Sequence, residues 1–227
     1  MLRSDRSKFN KAAASGANFV PWVESWPADL ETPLTTWLKV GLESPPGVLL
    51  ESVDGGESLG RWSVIACDPL WTATCHGDCM VRTWRDGKGE DTKGNPFEVI
   101  REWLTSYRIS TIPGLPPLGQ LYGMWGYELI QWVEPSVSVH PRAVSAITPP
   151  DGIWMLMDSI LMFDQVKRVI TAVAYADLSG GQSLDDALSK ARLRIQDLKE
   201  RMAKPLPSTK PLKWQDQKKP PNHTTSN

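Results

Sequence analysis

From Leu184 to Met202 the chain carries a single apolar stripe. Leu184, Leu188, Ala191, Ile195, Leu198 and Met202 recur at steps of three and four, the spacing of one helix face. Gly180-Gly181 breaks the chain just before Ser183, which is placed to cap the helix start. A stripe about five turns long must be covered, so the helix demands a broad apolar surface elsewhere in the chain. The chain also holds a long apolar run, Ile153 to Phe163. Broken by Asp158, it reads as buried sheet, not as a membrane span.

Other segments follow the same logic. Thr32-Pro33 supplies a cap and a first-turn proline for a helix with Leu34, Trp37 and Leu38 on its apolar side, and Gly41 closes it. Asn95-Pro96 with Glu98 starts another, with Phe97, Ile100, Trp103, Leu104 and Tyr107 on one side. Val48 to Leu50, Trp62 to Ala66, Leu70 to Thr74 and Met80 to Trp84 are short, rich in β-branched or aromatic residues and bounded by Gly or Asp, and they read as strands. Asp158 to Asp164 and Arg168 to Tyr175 read as a hairpin around Gln165-Val166-Lys167. Strands come in runs without strict βαβ alternation. The fold class is therefore α+β, with a largely antiparallel sheet or sheets and three to four covering helices.

Residues 1–17 are basic, small and polar and are expected to be unstructured; the folded part is expected to run from 18 to 203. Residues 204–227 hold five Pro and five Lys, a linker composition. The 25 basic and 26 acidic side chains balance to a net charge of -1, which leaves no basic footprint for nucleic acid. With no long apolar run and no secretory signal, a cytoplasmic location is expected. A plastid location is the alternative if the basic start is a transit peptide. Three cysteines, an odd number, speak against a disulfide scaffold.

Cys75-His76-Gly77-Asp78-Cys79 suggests a metal, but no second Cys or His pair accompanies it, so a hairpin turn that leaves the two cysteines as neighbours is the better reading. Cys67, inside a strand pattern, reads as a small buried hydrophobe. The histidines, His76, His140 and His223, are scattered and give no triad by spacing. Gly119 to Gly126 matches neither phosphate-binding glycine pattern; its glycines suit a close backbone approach where a strand meets a helix. Most of the 11 tryptophans read as core, with one or two at an interface. The polar cluster of interest is Glu51-Ser52, directly after Leu49-Leu50, with Arg61 ten residues beyond Glu51. Glu51 and Arg61 could tie two strands as an ion pair, or hold the ammonium and carboxylate of a small zwitterion.

Several blocks in order resemble the N-terminal region of anthranilate synthase component I: Asp29-Leu30-Glu31-Thr32-Pro33-Leu34, Leu49-Leu50-Glu51-Ser52-Val53, Gly60-Arg61-Trp62-Ser63, Pro113-Gly114-Leu115-Pro116, Gly123-Met124-Trp125-Gly126-Tyr127-Glu128, and Asp158 to Asp164. Gln120 stands where a glycine is common, and Glu128 where aspartate is usual. The resemblance implies a part in making anthranilate and pyruvate from chorismate and ammonia, a lyase step of tryptophan biosynthesis, with ammonia from a glutamine amidotransferase subunit. It also implies that chorismate and Mg²⁺ are held in a C-terminal chorismate-binding domain whose start Ser226-Asn227 resembles, so that this chain is expected to hold no catalytic residue, no metal and no cofactor. Feedback by L-tryptophan would then rest on Leu50, Glu51 and Ser52, and more loosely on Arg61, with affinity weak or lost without the second domain. Aminodeoxychorismate synthase component I and a stand-alone amino-acid-binding or adaptor protein are the alternatives.

Overall fold

The computed structural model describes residues 1–51, 60–116, 119–137 and 149–207. Among these, ten strands form two five-stranded antiparallel sheets. The first sheet is made of β1 (Phe19–Pro27), β2 (Gly47–Leu50), β3 (Trp62–Cys67), β9 (Ser159–Asp164) and β10 (Val169–Asp177), in the order β1-β10-β9-β3-β2. The second is made of β4 (Trp71–His76), β5 (Cys79–Trp84), β6 (Gly89–Lys93), β7 (Leu121–Trp125) and β8 (Gly152–Leu156), in the order β6-β5-β4-β8-β7. Four helices accompany them: α1 (Arg6–Ala14), α2 (Pro33–Val40), α3 (Pro96–Thr105) and α4 (Leu184–Met202), with a 3-10 segment at Tyr127–Trp132. The expected α+β class, antiparallel sheets and helix number all hold.

The caps read from the sequence are the caps observed. Thr32 accepts from Thr35 N, Asn95 from Phe97 N and Ser183 from Asp186 N. The long stripe of α4 buries Leu188, Ile195, Leu198 and Met202 on the first sheet, each gaining roughly 2 kcal/mol from leaving water. In α2 the buried face is Pro33, Thr36 and Val40, turned away from the expected Leu34, which stays exposed.

Three cores result. α1, α2 and α4 cover one face of the first sheet, with Val20, Ile65, Leu161 and Phe163 beneath them. α3 covers one face of the second sheet over Trp71, Met80 and Trp154. Between the sheets lie Phe19, Val23, Met155, Met157, Ile160, Val173 and Tyr175. Strand alternation makes this possible, since Trp154 and Leu156 point to α3 while Met155 points to the other sheet.

Residues 1–17, expected to be unstructured, include α1. Asp5 caps it by accepting from Lys8 N, and Phe9 is buried against Trp22 with ring centroids 6.1 Å apart. Phe9 anchors the helix, and Ala12 and Ala13 pack beside it against the same core. The hairpin at Gly77-Asp78 is a two-residue turn with Gly77 at φ 60, as the turn reading required. Its register sets His76 against Cys79 and Cys75 against Met80, so the two cysteines face opposite sides of the sheet and are not neighbours across the turn. Burial pushes the Cys67 and Cys75 thiols each up to about 11, in keeping with inert core residues.

Candidate functional site

Of the predicted site residues, Leu50, Glu51 and Arg61 are described, and they lie at ends of strands of the first sheet. Leu50 ends β2, pairs with Val64 of β3 and is half-exposed on the same face as Val48, toward the second sheet. Glu51 follows the strand and is exposed, and Ser52 lies outside the described residues. Arg61 does not join Glu51. Its guanidinium forks onto Asp164 at the end of β9, Nε to Oδ1 at 3.0 Å and Nη2 to Oδ2 at 2.6 Å, with its carbon 4.6 Å from the Trp62 ring centroid. The expected Glu51–Arg61 ion pair is not formed; the ion pair that Arg61 makes here is with Asp164.

Physical necessity explains the choice. Asp164 ends the fully buried run Ile160 to Phe163 and its side chain is only 5% exposed, so its charge needs a close partner. Trp62 is its register neighbour on β3, which brings Arg61 alongside. Oδ1 also accepts from Val166 N at 3.2 Å and Lys167 N at 3.0 Å, which closes the turn into β10. Burial pushes this carboxyl up, but the Arg61 bond and the two turn N–H groups outweigh it and leave it below the usual aspartate range. A depressed folded value stabilises the fold at pH above about 4, and that contribution is lost as the pH falls through the folded value. The urea midpoint of the protein should therefore drop between about pH 5 and pH 2 more steeply than that of Asp164→Asn; parallel curves would disprove the assignment.

Beside the fork opens a cavity of about 200 Å³, lined by Ser25, Trp62, Leu115, Asp164, Lys167 and Thr171 among others, with Met1 and Leu2 at one wall. Ser25 Oγ and Thr171 Oγ1 share a hydrogen bond of 2.8 Å across β1 and β10. Leu115 also lines a second cavity of about 300 Å³ with Ile112, Gln120 and Tyr175. Gln120, the departure noted above, is 5% exposed and donates from Nε2 to Tyr175 Oη at 2.7 Å. The position thus carries a buried bond that a glycine could not make. Asp164, Ser25 and Thr171 were not singled out as site residues; the signal for Asp164 was a carboxylate closing an apolar strand.

The close backbone approach expected of the glycines before Tyr127 occurs at Gly123, but between neighbouring strands, where an added Cβ would strike Ile153 O of β8, and not where a strand meets a helix. No three His, Cys, Asp or Glu side chains converge as a metal site among the described residues.

Two helix-covered antiparallel sheets, sharing a core and bordering a small polar-edged cavity, define the class: an α+β domain with a small-molecule-sized recess. Within that class the chain has the N-terminal region of the anthranilate synthase component I family. It is 45% identical over 209 residues to anthranilate synthase component 1 of Synechocystis sp., a match covering 91% of this chain and 41% of that protein. Against the Pseudomonas aeruginosa component 1 the identity is 33% over 205 residues, covering 89% and 40%. The chain thus spans about two-fifths of the length of the curated relatives it matches. A crystal structure of anthranilate synthase component I from Streptococcus pneumoniae aligns at a TM-score of 0.45 and 20% identity, covering 78% of this chain and 37% of that one. No protein-family model matches the chain. Among the described residues no helix is long and apolar enough to cross a membrane.

Proposed function

We propose that this chain is the tryptophan-responsive N-terminal part of an anthranilate synthase component I, acting in tryptophan biosynthesis. The observation that carries this is the 45% identity to a component 1 protein across nine-tenths of the chain. Chorismate, Mg²⁺ and the chemistry that releases pyruvate belong to residues of the family outside this span, and ammonia comes from a glutamine amidotransferase subunit. The chain alone is expected to form no anthranilate from chorismate and ammonia.

Leu50, Glu51, Ser52 and Arg61 are the residues assigned to the effector. The recess of about 200 Å³ beside the Arg61–Asp164 fork is lined by none of these four residues. Surface exposure supports further protein on this domain: Met124, Trp125 and Tyr127 are 69%, 59% and 71% exposed in consecutive turns of chain. Equilibrium dialysis with labelled tryptophan tests the reading. The chain should bind at best weakly, and less again as Ser52→Phe. Micromolar binding by the chain alone would overturn the shared site.

A further inference from the structure

At the margin of the first sheet opposite β2, the edge strand β1 carries two docked segments with a gap between them. Residues 108–113 attach near its start: Phe19 N donates to Arg108 O at 3.2 Å, and Ser110 N donates to Phe19 O at 3.4 Å. Residues 3–4 attach further along, where Ser4 N donates to Val23 O and Val23 N donates to Ser4 Oγ, both at 2.9 Å. Pro21 stands midway between Phe19 and Val23, at the outward backbone position that neither segment bonds. Proline has no N–H to offer a neighbour, so the gap is written into the strand. It opens as a cavity of about 280 Å³, walled by Phe9 and Ala12 of α1, Pro21 and Val23 of β1, and Ile112.

The polar groups around this apolar floor are all donors. Arg3 and Lys8 line the cavity, and no Asp or Glu does. Lys8 has Asp5 at 3.4 Å, but the exposed Arg3 guanidinium makes no hydrogen bond or ion pair among the described residues. Glu24, the β-bridge partner of Arg3, is held by Lys199. Ser110 and Thr111 also line the cavity, and their hydroxyls bond to no described residue.

We propose that this cavity binds a monocarboxylate with an apolar body. Its carboxylate sits on the Arg3 guanidinium and the Ser110 and Thr111 hydroxyls, and its body lies on Phe9, Ala12, Pro21 and Val23. A guanidinium fork matches a carboxylate in geometry as well as in charge. The apolar floor favours a ligand that carries more than its charged group. A zwitterion gains nothing, since its ammonium would meet two cations and no acid. Leu50 lies on β2, at the far margin of the sheet, so the site is separate from the residues assigned to tryptophan.

The test is NMR titration of the full chain with benzoate, followed through the amide N–H groups of Ala12 and Ser110 on opposite walls. Benzamide keeps the ring without the charge, and acetate keeps the charge without the ring. Benzoate should give saturable shifts below about 50 mM, tens of times a millimolar dissociation constant, and each control should bind about tenfold more weakly or not at all. Arg3→Gln, at an exposed position, should weaken benzoate about tenfold. Ala12→Leu, which grows into the cavity from α1, should abolish the shifts. An excess of L-tryptophan should leave them in place. The proposal is overturned if benzoate gives no saturable shift at these amides, if benzamide binds as tightly, or if Arg3→Gln leaves affinity unchanged. Displacement of benzoate by L-tryptophan would also overturn it, since the two would then share the effector site.

Discussion

Asp158→Ala is expected to cost about 3 kcal/mol of folding stability, the low end for a broken buried ion pair because Arg85 stays 36% exposed. Asp158 sits between β8 and β9, where the chain passes from one sheet to the other. Its carboxylate takes both Nη groups of Arg85 at 2.9 and 2.8 Å and Arg194 Nη2 of α4 at 3.3 Å. Its backbone oxygen takes Tyr175 N at 2.7 Å. Both arginines also reach Asp68 O, where β3 turns toward β4. One acid therefore holds two guanidinium groups at the junction of both sheets and the longest of the described helices. Without it, two like charges face each other across a partly dry space, with too few acceptors left. Urea denaturation should show a lower midpoint at an unchanged slope. Asp158→Asn, which keeps shape and one acceptor, should fall between the two. A loss below about 1 kcal/mol for alanine would show that water replaces the carboxylate here.

Trp71→Ala is expected to cost about 4 kcal/mol, within the range for emptying a buried aromatic site. Trp71 is 0% exposed and meets Trp103 of α3 edge to face, with centroids 5.9 Å apart. Its Nε1 donates to Tyr107 Oη at 3.0 Å, and Arg82 lies over it as well as over Trp84 and Trp103. Removing the ring thus strips a wall from the helix interface, a donor from Tyr107 and part of the aromatic seat of Arg82. Trp71→Phe separates these effects by restoring most of the volume without the N–H. It should cost about 1–2 kcal/mol, and it should raise the Tyr107 hydroxyl further, since burial already pushes that group up and the Trp71 bond opposes it. Tyrosinate absorbance in alkaline titration reads this. If alanine and phenylalanine variants unfold at the same urea concentration, packing is not what the residue supplies.

The helices were legible because caps and stripes are local. Thr32, Asn95 and Ser183 announce their helices within four residues. β9 and β10 were legible because buried strands are runs of apolar residues. β1 was not, since Pro21 and Pro27 argue against a strand; both are tolerated because β1 lies at the sheet edge. α1 was hidden by a basic composition in which Phe9 is the one large apolar residue, with Ala12 and Ala13 beside it against the core. At the site, the sequence reading paired Arg61 with Glu51, whereas the acid that Arg61 meets is Asp164. That choice depends on β3 and β9 being neighbours, a pairing of residues 103 positions apart that no local pattern encodes.

The two margins of the second sheet differ in kind. β6 carries Glu90, Asp91 and Lys93 along one margin, whereas β7, Leu-Tyr-Gly-Met-Trp, runs uncharged along the other. A stray strand that meets this sheet is repelled on one side and accepted on the other. If two copies met in this way, antiparallel through β7, each would use up its receptive margin and present charged ones outward. Such an encounter closes at a pair and does not propagate into a fibre.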